Sequence, residues 1–251
     1  MTQDQLRQYL EFYQDLGVKT LFRRDAAQPA GVATQATAVA AESSTGSQPL
    51  QAPSLPALEP AGDTLLKIIE DIGDCNRCRL HEGRNKLVFG SGSDQAKLVF
   101  VGEGPGADED EQGLPFVGRA GQLLTQMIEG TARKEGIPLQ RPDVYICNVV
   151  KCRPPENRTP QPDEMEICGQ FLYRQLQAIR PKAICALGST AAKALLGTKE
   201  GVTRLRGKWQ KWRDIPVMVT YHPSYLLRPY NQNAKKEAWD DLKKVLHFVY
   251  D

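Results

Sequence analysis

Three short motifs in this chain combine residue types suited to holding a flat polar ligand and stabilising charge on it: Gly102-Glu103-Gly104-Pro105-Gly106, Asn148, and His222-Pro223-Ser224. A side-chain amide presents a donor and an acceptor side by side, the pattern that pairs with an imide edge. An imidazole donates a hydrogen bond to negative charge that develops as a bond breaks. A glycine-rich turn bares backbone N–H groups and admits a ligand close to the chain. Each motif stands where a short apolar run stops, at 98–101, 144–146 and 217–220. Runs of that length read as buried strands. In an open parallel sheet the strand ends gather along one edge, where ligands bind. The three motifs are therefore expected to share one pocket.

Residues 102–107 formally match the dinucleotide pattern G-x-G-x-x-A, but Asp108-Glu109-Asp110-Glu111 follows at once. Four carboxylates at a helix start repel phosphate, so the segment reads as a tight turn against a neutral ligand. Glu103 is the carboxylate closest to that turn. Phe116 lies in a loop between Pro115 and Val117-Gly118 rather than in a periodic segment, which suits a stacking platform for a base.

The six cysteines divide by context. Cys147 and Cys185 sit inside apolar runs, where a free thiol acts as a small hydrophobe. Cys75-x2-Cys78, Cys152 and Cys168 remain, a set of four that suits tetrahedral zinc or an iron–sulfur cluster. The wide separation of Cys152 and Cys168 weighs against the paired spacing of structural zinc, although His81 offers an alternative zinc ligand. Cys75-x2-Cys78 follows a helical segment, which argues against a thioredoxin-like redox pair.

The elements that must position these residues alternate. Helical patterns at 62–73, 120–136, 163–180, from Ser189 (a predicted N-cap) and at 234–249 separate strand-like runs at 97–101, 143–150, 183–187 and 216–220. The segments between 101 and 120 and at 152–162 read as loops. Alternation of this kind implies an α/β fold, a three-layer α/β/α sandwich with a mostly parallel four-stranded central sheet. Upstream, residues 1–25 show helical spacing of Leu6, Tyr9, Leu10, Tyr13 and Leu16, an amphipathic helix suited to docking a partner protein. Residues 26–60 are Ala-, Gln-, Ser-, Thr- and Pro-rich, a composition that reads as a disordered linker. The main domain is expected at 61–251.

Formal charge is only +2, but residues 199–236 hold nine Lys/Arg against Glu200 and Asp214. A local basic stripe suits a polyanion. No apolar run approaches membrane-spanning length, and the N-terminus lacks a secretory pattern, so a cytoplasmic chain with reduced thiols and no membrane partner is expected.

Together the motifs resemble one family, the iron–sulfur, type-four uracil-DNA glycosylases. The resemblance rests on 102–106, on Gly113-Leu114-Pro115-Phe116-Val117-Gly118, on Asn148-Val149-Val150-Lys151-Cys152-Arg153-Pro154-Pro155, on His222-Pro223-Ser224 and on the cysteine set. It covers about 63–250. It implies a prokaryotic DNA repair hydrolase that flips uracil from single- or double-stranded DNA and breaks its N-glycosidic bond, acting as a monomer. It also implies a [4Fe–4S] cluster on Cys75, Cys78, Cys152 and Cys168. Phe116 resembles the base-stacking aromatic, Asn148 the reader of O4 and N3–H, and His222 the donor to O2. Gly102, Glu103 and Gly104 resemble the turn that lines the base and the attacking water. Arg153, Arg158, Ser224, Leu226, Leu227 and Arg228 fall in segments that resemble DNA-facing loops. Glu111 or Pro115 is the expected wall against the thymine methyl. Some classes of the superfamily carry Asp where Gly104 stands, which leaves Glu103 as the nearest carboxylate for water. A cross-linking branch carries a basic, His-containing insertion absent between Lys151 and Cys152, so no covalent DNA product is expected. A binding protein that holds uracil or single-stranded DNA without cleaving is the competing expectation.

Overall fold

A computed structural model of the chain describes residues 62–228 and 231–251. The expected N-terminal helix and linker lie outside the described residues. Helix α1 (Leu65–Ile72) starts at Thr64, whose hydroxyl accepts from Lys67 N, and buries Ile68 and Ile72, one turn apart, before Gly73 ends it. Strands β1 (Ser91–Gly92) and β2 (Leu98–Gly102) follow, then α2 (Ala107–Gln112) and α3 (Arg119–Lys134). Next come β3 (Tyr145–Asn148), α4 (Pro162–Ile179), β4 (Ala183–Leu187) and α5 (Ser189–Leu196). The domain closes with α6 (Val202–Leu205), β5 (Trp209–Trp212), β6 (Ile215–Thr220), α7 (Pro223–Leu226) and α8 (Gln232–Tyr250).

The sheet runs β1-β3-β2-β4-β6-β5. Its central strands β3, β2, β4 and β6 are parallel, and both outer strands pair antiparallel. Six strands thus replace the four expected. The added strands are edges: β1 has only two residues, and β5 is a Trp-Gln-Lys-Trp segment with a single buried side chain. A two-residue edge and a lysine-bearing one resist pairing with other chains and lack the apolar run that marks a central strand.

Burial explains the layers. Each of β2, β3 and β4 is buried along its whole length, as strands covered on both faces must be. Val99, Val101, Cys147, Ile184 and Val219 face a core built with α1, α4 and α5. Leu98, Phe100, Ile146, Cys185 and Met218 face the other core, with α3 and α8. Cys147 and Cys185 are 0% and 1% exposed and serve as core side chains. Two local expectations change. The segment after β2 carries helix α2, with Glu109 as its third residue. Ser189 is the first residue of α5, and Gly188, at φ 91°, takes the cap position.

Chain order places β2 between β3 and β4, so connections leave the sheet in opposite directions on either side of it. The carboxyl ends there open a crevice, the place where open α/β sheets bind ligands.

Candidate active site

A cavity of about 340 Å³ fills that crevice. Glu103 and Gly104 line it from the end of β2, Asn148 from β3, Leu187, Gly188 and Ser189 from β4, and His222 and Ser224 from β6. Phe116, Glu109, Ala120, Asn157 and Arg158 complete much of the wall. Helices α3 and α5 both begin beside it. Their N-terminal dipoles favour negative charge in the cavity.

Asn148 is 1% exposed, and its Oδ1 is buried without a hydrogen-bond partner in the protein. A buried acceptor without a donor is costly and rare. Its place in the cavity wall leaves it free to accept from a ligand N–H. Gly102 pairs with Asn148 across the strands. A Cβ there would stand 2.4 Å from Asn148 Oδ1 and 2.5 Å from the Phe116 ring. Gly102 is therefore the floor on which both side chains rest.

Phe116 is 6% exposed and adopts φ 53°, a conformation that costs a non-glycine residue on the order of 1–3 kcal/mol. Three neighbours hold it. Glu109 Oε1 accepts from Val117 N and Gly118 N, both at 2.9 Å, while Oε2 accepts from Gly106 N. Arg141 Nη2 donates to Pro115 O at 2.7 Å and Nη1 to Thr125 Oγ1 at 2.7 Å. Gly121 lets the Phe116 carbonyl press against α3, since a Cβ there would lie 1.9 Å from that oxygen. The Phe116 ring centroid sits 5.6 Å from that of His222.

His222 follows β6 and is held by Pro223 at the start of α7. Its Nδ1 accepts from Ser224 N at 3.2 Å and lies 2.8 Å from Ser224 Oγ. An accepting Nδ1 puts the proton on Nε2. Burial lowers the imidazole pKa to about 4, against a smaller opposing pull from Glu109. At neutral pH the ring is thus an uncharged Nε2–H donor. Glu103 accepts from the hydroxyl of Thr190 on α5, which fixes one carboxylate oxygen in the wall.

The mouth departs from expectation in two places. Leu226 is 1% exposed and packs with Ala234, Ala238 and Leu123 beneath α7, so it does not face the surface. Tyr225 does: it is 39% exposed, stacks on Tyr221 at 5.3 Å, and has Arg228 over its ring at 5.8 Å. Leu227 is half-buried and Arg228 exposed. Arg158 makes a two-pronged ion pair with Glu164, at 2.6 and 2.9 Å, and Arg79 also reaches that carboxylate. Arg153 Nε donates to Asn157 Oδ1 at 2.8 Å. These arginines brace the loop between the cavity and α4, and Arg158 also lines the cavity. Glu111 is exposed on α2 and Pro115 is buried beneath its loop, and neither lines the cavity. Glu109 and Gly188-Ser189 are among the wall residues that sequence reading missed. The first was hidden in an acidic run; the second follows the fourth strand end and was open to the argument applied to the other three.

Cys75, Cys78, Cys152 and Cys168 line a second hollow with Ile72, Leu87 and Phe171. Among the described residues no three His, Cys, Asp or Glu side chains group closely enough for one metal ion. The thiols stand around the hollow instead. Donors are aimed at three of them: Arg77 Nη1 at Cys75 Sγ (3.6 Å), Arg84 Nη1 at Cys152 Sγ (3.4 Å) and Lys151 N at Cys168 Sγ (3.2 Å). Burial pushes the Cys168 thiol up to about 12. Four sulfurs in an apolar hollow, served by N–H donors, fit a thiolate-ligated cluster. His81 Nδ1 lies 2.8 Å from Cys78 O, so that nitrogen is already engaged with the backbone.

Comparison with known proteins agrees with this geometry. The Uracil DNA glycosylase superfamily profile matches residues 89–243. The type-4 uracil-DNA glycosylase of Thermotoga maritima is 45% identical over 190 residues, covering 74% of this chain and 96% of that protein. That of Archaeoglobus fulgidus is 42% identical over 191 residues, covering 73% and 92%. A type-5 uracil-DNA glycosylase of Pyrobaculum aerophilum is 30% identical over 164 residues, covering 60% and 70%. The match takes in every wall element of the cavity from β2 to α7, and the chain therefore belongs to the uracil DNA glycosylase superfamily, with its type-4 members as near relatives.

Proposed function

We propose that this chain excises uracil from DNA by hydrolysing the N-glycosidic bond, leaving free uracil and an abasic site. The observation that carries the reading is the unpartnered Oδ1 of Asn148, buried in the same cavity as a neutral imidazole donor. A flipped uracil offers N3–H to that oxygen and accepts at O4 from the amide nitrogen. Cytosine presents an acceptor at N3 and a donor at the 4-position, which leaves both ends of the amide mismatched. Extrusion costs a few kcal/mol, offset by stacking on Phe116 and by the edge hydrogen bonds. As the bond breaks, negative charge grows on the ring. The Nε2–H of His222 meets it at O2, where a preorganised neutral donor stabilises the departing anion without a proton transfer. Glu103, its carboxylate braced by Thr190, and the adjoining turn at Gly104 orient the water that attacks the sugar.

Arg158 and Ser224, which line the cavity, hold the DNA strand together with Arg153, Leu227 and Arg228 of the same two loops, and Leu226 anchors α7 from beneath. Either a single strand or a duplex presents the phosphates such groups bind. Cys75, Cys78, Cys152 and Cys168 would hold a [4Fe–4S] cluster that ties the segment after α1 to α4 and to the loop after Asn148. The protein acts as a monomer in the prokaryotic cytoplasm, and residues 1–25 dock a partner. Among the described residues no helix is long and apolar enough to cross a membrane.

The test is release of uracil from a labelled oligonucleotide followed by alkaline cleavage. Asn148→Ala and His222→Ala are each expected to slow excision by about a hundredfold or more, the scale of losing one preorganised donor. His222→Ala keeps wild-type affinity for uracil DNA, and Asn148→Ala loses its preference for uracil. Wild-type protein that binds the oligonucleotide but leaves the base in place would sink the catalytic reading in favour of a binding module. Iron and sulfide at about four each per chain check the cluster.

A further inference from the structure

Lys151 is 1% exposed and ranks among the largest fully buried side chains. A buried ammonium is expensive unless its protons are taken up, and here the acceptors are specific. Nζ donates to the backbone carbonyl of Asn148 at 2.7 Å and to Gln175 Oε1 at 2.6 Å. The carbonyl needs such a donor: edge strand β1 pairs only with Tyr145 and Ile146 and stops short of it. The Lys151 N–H donates to Cys168 Sγ, and its carbonyl accepts from Val88 N at 2.8 Å. Lys151 also lines the cysteine hollow, and Cys152 follows it directly. Gln175 lies two turns beyond Cys168 on the same side of α4. Its amide donates to Phe89 O at 3.0 Å and to Tyr145 Oη at 3.1 Å. One residue thus binds the cysteine-bearing helix through its backbone and the ligand-reading residue through its side chain.

We propose that Lys151 is a positioning residue that ties Asn148 to the wall of the cysteine hollow, so that the hollow sets the placement of the amide in the cavity. This rests on the role given to Asn148 above. It assigns the lysine an inward task, distinct from the DNA-binding role a cation in this loop would suggest. Removing the ammonium also removes its desolvation cost, so a neutral side chain of similar length is expected to fold.

The experiment uses full-length protein purified with its iron. Lys151→Met is expected to slow single-turnover uracil excision about tenfold, the scale of a small misplacement of a reacting group. Its affinity for undamaged DNA and its iron content per chain should match wild type. Amide hydrogen exchange in the peptide spanning 147–152 should quicken about tenfold while β4 stays protected. Because Lys151 acts through Asn148, the double variant Asn148→Ala/Lys151→Met should be no slower than Asn148→Ala alone. A wild-type rate in Lys151→Met, or the full tenfold loss reappearing on top of Asn148→Ala, overturns the proposal. Should Lys151→Met fail to fold, Gln175→Met keeps the lysine and its bond to Asn148 while removing the second acceptor. It should slow excision and quicken exchange about threefold, and unchanged values overturn the assignment. Wild-type protein that releases no uracil, or an Asn148→Ala variant as fast as wild type, would instead fail the reading of the cavity. Lys151→Met at the wild-type rate beside a slow Asn148→Ala fails only the lysine's role.

Discussion

At the scale of single residues, two uncharged polar groups, Asn148 and His222, face the cavity. His222 is kept uncharged by burial, with its pKa near 4, and its Nδ1 is spent on Ser224. The sign follows directly. Above about pH 6.5 the ring is neutral in both folded and unfolded chains, and its contribution to stability is complete. Between pH 6.5 and 4 the unfolded chain takes up a proton that the native cavity refuses, so acidification through that window favours unfolding. The neutral ring persists until about pH 4, where a proton on Nδ1 breaks the bond it accepts from Ser224 N while Nε2 keeps its hydrogen. Excision is therefore expected to show no step near pH 6.5, the ordinary range of a histidine, and to change only on approach to pH 4, as the ring loses its Ser224 anchor. Single-turnover rates from pH 8 downward check this, with circular dichroism marking where folding itself is lost. A tenfold fall in rate centred near pH 6.5 on protein that remains folded would mean that the imidazole is not held neutral. Asn148 and His222 were legible in the sequence because each closes an apolar run. The burial of Leu226 and the pairing of Arg158 with Glu164 were not. A motif order does not tell which side of a one-turn helix faces inward, and Glu164, six residues beyond Arg158, claims its guanidinium.

At the scale of elements, the site depends on how closely helices approach the loops before them. Helix α3 begins with its first turn pressed on the Phe116 carbonyl, and Gly121 makes that contact possible. Alanine at a helix interior normally stabilises by roughly 0.5–1 kcal/mol over glycine. Here a Cβ would stand 1.9 Å from a backbone oxygen already held by a φ of 53°, so the loop must move. Gly121→Ala is expected to cut excision at least about tenfold through displacement of the stacking ring, with the added helix propensity offset by the clash. Excision kinetics beside a thermal melt test this; a variant with unchanged kinetics would show that the Phe116 loop can shift without cost to the site. The parallel strands β2, β3, β4 and β6 were readable from their short apolar runs, because strands covered on both faces need apolar side chains along most of their length. The edges escaped notice for the opposite reason. Two residues of β1 carry no pattern, and β5 lies in a lysine-rich stretch whose exposed side chains resemble a loop. Helix α2 escaped because Gly106 and Gly113 bracket an acidic run that reads as a turn, whereas Glu109 closes it by bonding Gly106 N and the Phe116 loop at once.

At the scale of the whole molecule, one edge of the sheet collects the ends of four parallel strands, and helices on both faces hold them in register. The cysteine hollow sits on the face with α1 and α4, while Phe116 belongs to the opposite face with α3 and α8. Asn148 lies at the junction, its backbone tied toward one layer and its side chain resting near the ring of the other. Among the described residues, the elements that build this arrangement begin with α1 and its cap at Thr64. Residues 1–60 contain few large apolar side chains after residue 25, and they contribute six acidic against four basic residues, a poor composition for binding DNA phosphates. Deletion of residues 1–60 is therefore expected to leave the melting temperature, the iron content and single-turnover excision on a short oligonucleotide within about twofold of the full chain, since surface segments without a packed core change stability little. The same truncation should abolish whatever partner binding residues 1–25 provide, which a pull-down with the isolated 1–60 peptide as competitor reads separately. A truncated protein that precipitates, loses iron or excises uracil more than tenfold slower would show that residues 3–23 pack on the catalytic domain and belong to its core rather than to a tethered docking element.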